Sequence, residues 1–231
     1  MSKIVVALPA FNEEKYIAGI VSKATQHADM IFVLDDGSTD NTINESRRAG
    51  AEVIQHLENK GYGATIQDIL SSVRGSKFDV LVVIDADGQH TPEDIPNLVG
   101  AIQEGADLAI GCRAGKDVPF YRRLGGTTLS VFTYLLSGVW VKDSQCGFRA
   151  YSKRAVGKIC PKENGMAVSS EIVALAAWEK LRITEVPISV RYLEDSSTHN
   201  PWKQGFYTLW RLIVLIVRRR LLRKVVVLPK H

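Results

Sequence analysis

Residues 79–90, DVLVVIDADGQH, set the tightest limit on what this chain can fold into. Val80 to Ile84 are five apolar residues in succession. A strand with one face in water would alternate apolar and polar residues. An unbroken run is buried on both faces, as in the centre of a parallel sheet covered by helices. Asp85 and Asp87 follow two apart, so they point to the same side just past the buried segment. In open parallel sheets that end of the strands is where ligands bind.

Runs of the same kind recur at Ile4–Leu8, Met30–Leu34, Glu52–Gln55 and Leu108–Gly111. Helical periodicity lies between most of them, over Glu13–Gln26, Thr42–Ala49, Tyr62–Arg74 and Pro92–Glu104. The alternation predicts an α/β fold: a mostly parallel, Rossmann-like sheet flanked by helices. Asn12 before Glu13 and Thr91 before Pro92 are expected as helix caps. After residue 112 the alternation fails. RAGKDVPFYRRLGG reads as a basic loop, Thr127–Val139 as a helix, and RITEVPISV at 182–190 as a late strand. The expected organisation is one catalytic domain, 1–200, with a donor half to about 112 and an acceptor half from 113, then an appendage at 201–231.

Each strand end carries groups suited to a nucleotide. Asp85, Asp87 and Gln89 offer the hard oxygen ligands that Mg²⁺ or Mn²⁺ takes together with phosphate oxygens. Thr91 is expected to cap the helix that follows, leaving the aspartates for another purpose; His90 reads as a loop residue. LDDGSTDNT (34–42) ends the second strand, where Asp35 or Asp36 would accept from a base or ribose, while Gly37, Ser38, Asp40 and Asn41 are turn and cap residues. LPAFNEE (8–14) ends the first, with Pro9 and Phe11 for a base pocket and Glu13 for the ribose. NKGYGAT (59–65) lacks the GxGxxG fingerprint, and a Walker A sequence is absent. Lys60 is a candidate for a phosphate or the sugar.

Three widely spaced cysteines, Cys112, Cys146 and Cys160, form no metal or disulfide pattern and read as reduced thiols of a cytosolic protein. The N-terminus enters a strand directly, without signal-peptide anatomy. Net charge is +4, but residues 201–231 hold eight Lys or Arg and no acid, so the other 200 residues carry 21 basic and 25 acidic side chains, or −4. A basic tail on a mildly acidic body suggests an anionic surface as partner.

The pattern P-x-F-N-E, then D-D-x-S-x-D, then D-x-D at a strand end resembles glycosyltransferase family 2, with its GT-A fold. DADGQH, GCR (111–113) and DSQCGFRAYSKRA (143–155) are similar to the branch of dolichyl-phosphate mannose and glucose synthases. The resemblance covers about residues 3–200. It implies a nucleotide-sugar donor bound by Pro9, Phe11, Glu13, Asp35, Asp36, Lys60, Asp85 and Ala86. It implies a metal at Asp85, Asp87 and Gln89, with Asp87 catalytic. The acceptor would be a polyprenyl or dolichyl phosphate. Arg113 and Arg122 or Arg123 would meet its phosphate, Arg113 and Arg123 as catalytic groups, and Ser197 would close over the site from the loop VRYLEDSSTHN (190–200). Arg191 sits nearer the preceding strand than that pattern places it. DDGSTD is closer to UDP-sugar relatives than to users of GDP-mannose.

A hydroxyl acceptor needs a carboxylate base, and only Asp143 and Glu171 are candidates. A phosphate monoester is already an anionic nucleophile, so arginines without a base favour that acceptor. In the tail, Phe206, Leu209, Trp210, Ile213, Val217 and Leu221 form one helical stripe. The longest uncharged apolar run there, Leu212–Val217, is far below the roughly 20 residues a membrane span requires. The expectation is an amphipathic helix lying at the cytoplasmic membrane surface. The alternatives are a helix docked on the body or on a second copy. A nucleotidyltransferase would want a Gly-rich basic loop after the first strand, where this chain is acidic. A nucleic-acid-binding module would leave the aspartates idle, so nucleic acid is not expected as a partner.

Overall fold

The computed structural model describes residues 2–113, 120–191 and 201–226, with backbone alone at 120–124, 201–204 and 219–226. Among the described residues seven strands form one sheet: β1 (Ile4–Ala10), β2 (Met30–Asp35), β3 (Glu52–Gln55), β4 (Val80–Val83), β5 (Leu108–Arg113), β6 (Arg149–Ser152) and β7 (Ile183–Ile188). The helices are α1 (Ile17–Ala24), α2 (Thr42–Arg48), α3 (Tyr62–Ser72), α4 (Ile95–Gln103), α5 (Phe120–Ser137), α6 (Lys153–Lys158), α7 (Val168–Trp178) and α8 (Pro201–Val226). The strand order is β3-β2-β1-β4-β6-β5-β7. β1 pairs in parallel with β2 and β4, and β2 with β3, while β6 runs antiparallel to both β4 and β5. The expected mostly parallel α/β sheet is found, with one departure. β4 is parallel on one side only.

All four residues of β4 are buried, as its unbroken apolar run requires. Helix α3 packs on β1 and β2, and α4 on β4, β5, β6 and β7. The chain runs from β1 outward to β3, then crosses back to place β4 on the other flank of β1. That reversal opens a crevice at the C-terminal ends of β1 and β4. A second, smaller apolar cluster joins Leu136 of α5, Ala167 and Ala174 at α7, and Leu212 of α8.

Several local expectations fail for physical reasons. Asn12 is not an N-cap: it sits at φ +56, and its Oδ1 accepts from Thr39 N at 2.9 Å. It ties the end of β1 to the loop after β2, and α1 begins only at Ile17. Thr91 makes no side-chain cap, and the segment after it starts as a 3-10 turn over Pro92–Asp94. Helix α5 begins at Phe120 rather than Thr127 and continues through Gly125 and Gly126. Two glycines cost a helix about 1 kcal/mol each, which the contacts of α5 with α7 and α8 outweigh. Strand β6 and helices α6 and α7 were not expected at all.

Candidate active site

Three strand ends meet at the crevice. β1 ends at Ala10, opposite Asp35 at the end of β2, and Asp85 and Asp87 lie just beyond β4. Gly88, at φ +75, makes the turn after them; only a residue without Cβ reaches that region freely.

Asp35 is fully buried. Its Oδ2 accepts from Ser38 N at 3.0 Å, whereas Oδ1 is buried with no partner. An orphaned acceptor in a native fold calls for an explanation, and a ligand N–H supplies one. Asp36 differs. Its carboxylate accepts from Lys60 N at 2.9 Å and Gly61 N at 2.8 Å, and one oxygen lies 2.7 Å from His56 Nδ1. His56 Nε2 lies 2.9 Å from Asp68 Oδ2. Asp36 therefore holds the 59–61 loop, and its oxygens are committed inside the protein. Sequence reasoning treated the two aspartates alike and missed His56.

Asp85 is held from two sides. Tyr62, first residue of α3, donates its hydroxyl to Oδ1 at 3.0 Å. Gly147 packs so tightly against the Asp85 carboxylate that a Cβ there would overlap it. Burial pushes the Asp85 carboxyl above its usual range, while the Tyr62 hydrogen bond and the charges of Arg149 and Arg113 oppose the shift. Burial and the Asp85 charge push Tyr62 far above the ordinary tyrosine range, so its hydroxyl remains a donor. Asp87 is raised by burial and then by the charge of Asp85. It accepts from Gln89 N at 3.0 Å and from Gln89 Nε2 at 2.7 Å, which leaves the Gln89 amide oxygen for another contact. Glu13 is raised to about 7, by burial first and then by Asp87, Asp85 and Asp40. It thus stands with the two aspartates. Burial raises all three carboxyls, the Asp85 charge adds to the rise in Asp87, and both aspartates add to the rise in Glu13, which marks a place where positive charge is wanted.

The remaining predicted residues divide. Pro9 and Ala86 are buried, Phe11 is exposed, and Lys60 Nζ lies 3.7 Å from Asp68. Arg113 grips Asp143 through both carboxylate oxygens, Nε to Oδ2 at 2.5 Å and a terminal nitrogen to Oδ1 at 2.7 Å. That pairing takes Asp143 away from the role of a base. Glu171 is removed as well: its Oε2 accepts from Lys162 N and Glu163 N at 2.9 and 2.8 Å. Arg122 and Arg123 lie in the first turn of α5, their side chains outside the described residues, as is Ser197. His90 lies between the named elements, as expected, but it is buried; its Nε2 stands 3.8 Å from Asp85 Oδ2, and its ring 5.6 Å from that of Phe148. Burial lowers its pKa. A bridge from His90 to Val190 brings Arg191 beside Gln89, with Arg191 N donating to Gln89 O at 2.9 Å. Arg149, unforeseen, is buried and donates to the carbonyls of Cys146, Ser169 and Ser144. It fixes the turn that carries Gly147.

Residues 5–159 match the model of the glycosyl transferase family 2. The chain belongs to that family. It is a glycosyltransferase, as the strand-end motifs implied. A UDP-N-acetylglucosamine–dolichyl-phosphate N-acetylglucosaminyltransferase of Methanococcus voltae is 33% identical over 92% of this chain and 95% of its own. A polyprenol monophosphomannose synthase of Mycolicibacterium smegmatis is 29% identical over 81% of this chain and 77% of its own. Among solved structures, a glucosyl-3-phosphoglycerate synthase from Mycobacterium tuberculosis, in complex with Mn²⁺, UDP and glucosyl-3-phosphoglycerate, aligns with a TM-score of 0.73. Its identity is 23% over 94% of this chain and 80% of that one, a likeness of fold.

The family transferase has an outer helix with two unlike faces. On α8, Leu212 is buried and Leu215 and Ile216 pack toward α5 and α7, while Phe206, Tyr207, Trp210 and Val217 are exposed. Leu212 docks on the body, whereas of the expected stripe Phe206, Trp210 and Val217 are exposed, Leu209 and Ile213 are half-buried, and the side chain of Leu221 lies outside the described residues. Among the described residues no helix is long and apolar enough to cross a membrane.

Proposed function

We propose that this family 2 transferase moves a sugar, with inversion, from a nucleoside-diphosphate sugar to a polyprenyl phosphate. The observation that carries the donor half is the pairing of Asp85 and Asp87 with the orphaned Oδ1 of Asp35 across the same crevice. Asp35 would accept from the base, and a uracil N–H fits a single acceptor. UDP is accordingly favoured over GDP. Glu13 faces the ribose side, and Asp36 supports the pocket through the 59–61 loop.

The raised carboxylates fit a hard divalent cation, Mg²⁺ or Mn²⁺, held by Asp85, Asp87 and the amide oxygen of Gln89. When bound, it neutralises the charge that develops on the departing diphosphate. Tyr62 and Gly147 keep the Asp85 carboxylate in one position for that purpose.

The acceptor half rests on what the carboxylates are doing. Asp143 and Glu171 are both engaged in the fold, so neither is free to take a proton from an alcohol. A phosphate monoester has no such proton to lose. Arg113, with Arg122 and Arg123 across the start of α5, would orient it by charge and forked hydrogen bonds. The M. voltae and M. smegmatis relatives are named for lipid-phosphate acceptors. We take residues 1–200 as the catalytic body. Residues 201–231 form the segment that meets the cytoplasmic membrane surface, with its exposed aromatics at headgroup level and its cations toward anionic lipid.

The test is transfer of labelled sugar from a UDP-sugar, with Mn²⁺, into the organic phase. Polyprenyl phosphate, free polyprenol and 3-phosphoglycerate are offered as separate acceptors. The reading requires label in lipid with the phosphate alone, at a rate that falls as salt is raised over anionic vesicles. Transfer to polyprenol or to 3-phosphoglycerate, with none to the lipid phosphate, contradicts it.

A further inference from the structure

Helix α8 lies against the acceptor side of the molecule, yet one of its side chains ends in the supports of the donor side. Arg211 forms a forked pair with Glu163, 2.8 Å at both contacts, and Glu163 is buried. The pair raises the pKa of Arg211. Removing one partner of such a pair leaves the other carrying a buried charge. Glu163 belongs to a tight strap at 162–165. Glu171 holds that strap from α7, and Gln67 of α3 donates to Glu163 O at 3.1 Å.

The strap presses on the first turn of α3. Gly63 N donates to Asn164 O at 2.8 Å, and a Cβ on Gly63 would overlap the Glu163 carbonyl. No side chain larger than hydrogen fits there, so the strap and the turn cannot shift independently. The residue before Gly63 is Tyr62, whose hydroxyl holds Asp85. A continuous set of contacts therefore runs from Arg211 through Glu163 and Asn164 to Tyr62 and Asp85.

We infer that Arg211 is a positioning residue for the metal carboxylate: by clamping Glu163 it seats the 162–165 strap against α3 and so fixes Tyr62 on Asp85. This rests on the reading of Asp85 as a metal ligand. It gives the outer helix, whose Phe206, Tyr207 and Trp210 meet solvent, a part in donor binding that direct contact would not reveal.

The experiment is a double-mutant cycle on Mn²⁺ affinity, read from the free-Mn²⁺ EPR signal in the presence of saturating UDP. Residues supporting a metal ligand typically change metal affinity by about 10- to 100-fold when removed, and Tyr62→Phe is expected within that range. Arg211→Ala, acting one step further away, should weaken Mn²⁺ binding on the order of fivefold, and Arg211→Lys should recover part of the loss. In the Tyr62→Phe background, Arg211→Ala should change affinity by less than about twofold, because the contact it serves is already gone. Equal fold-changes in both backgrounds, or none in Arg211→Ala, overturn the inference. If Arg211→Ala fails to fold, Glu163→Gln carries the same cycle with the same outcomes. Asp85→Asn is run alongside. Unchanged Mn²⁺ binding in that variant overturns the metal-site reading itself, whereas a loss in Asp85→Asn without one in Arg211→Ala overturns only the link.

Discussion

The two sides of the sheet are assembled differently. From β3 to β4 every neighbour is parallel and every strand lies within residues 4–83. From β6 to β7 the pieces come from residues 108–113, 149–152 and 183–188, and β6 enters antiparallel between β4 and β5. The parallel side presents its chemistry on strand ends, where Asp35 and Asp85 appear at the close of apolar runs. The inserted side works by covering. The turn leading into β6 brings Gly147 onto the Asp85 carboxylate, and Arg149 braces that turn from beneath. On the proposed reading, one half would bind the donor, and the other would fix how the Asp85 carboxylate stands and deliver the acceptor.

The sharpest way to break this division is at Asp87 on the parallel side. Asp87→Asn keeps the shape and removes a charge that, on the proposed reading, would hold the metal beside the leaving diphosphate. Initial rates of transfer should fall by about 10² or more with the melting temperature preserved. Excess EDTA should do the same to the unaltered protein. Full activity in either case removes the metal from the account.

The covering side is probed at Gly147. A methyl there has no room beside Asp85, and Gly147→Ala should weaken Mn²⁺ binding by roughly 10-fold or more, as loss of a metal ligand's support does. Gly125 in α5 is the control, since among the described residues nothing lies within 4 Å of a Cβ placed on it. Gly125→Ala should leave metal binding alone and stabilise the helix by about 0.5–1 kcal/mol. Measuring both by metal titration and denaturant unfolding separates packing on the site from packing in general.

These two glycines also show what the sequence yields and what it withholds. Strands β1, β2, β4 and β5 were legible because buried strands write themselves as apolar runs, whereas β3 (Glu52–Gln55) is a largely exposed edge strand with only two apolar residues. Asp35, Asp85 and Asp87 were legible as candidate site residues because they terminate or follow those runs. Strand β6 was not, since Arg149-Ala-Tyr-Ser has neither an apolar run nor clean alternation; its register comes from pairing with β4 and β5. Tyr62 was hidden inside a glycine-rich string that looked like a failed phosphate loop. Asp35 and Asp36 are adjacent and chemically identical in the chain. Only the 59–61 loop and His56, brought in from β3 and beyond, assign one to support and leave the other with a bare oxygen. Asn12 illustrates the same limit, because its bond to the 39th residue's N–H depends on two loops meeting.

A smaller effect distinguishes the carboxylate cluster by pH. The Glu13 pKa is raised from 4.5 to about 7, so the fold favours its protonated form. The stability this contributes is full below the unfolded value and is lost as pH rises through about 7. With EDTA present, the denaturant midpoint should decline between pH 5 and pH 8, and Glu13→Gln should flatten that decline. An unchanged slope in Glu13→Gln would move the charge strain to other groups.

The division between donor and acceptor sides is tested most directly by calorimetric titration of UDP, with Mn²⁺, into the unaltered protein, Asp35→Asn and Arg113→Ala. Asp35→Asn retains an oxygen for Ser38 but puts an amide N–H₂ where a base donor must be received. Its UDP affinity should drop by about tenfold or more, the size of a lost hydrogen bond to a charged group. Arg113→Ala should bind UDP within about twofold of the unaltered protein while its KM for polyprenyl phosphate rises by roughly tenfold. Loss of UDP affinity in Arg113→Ala, with Asp35→Asn unaffected, would contradict the account at its centre.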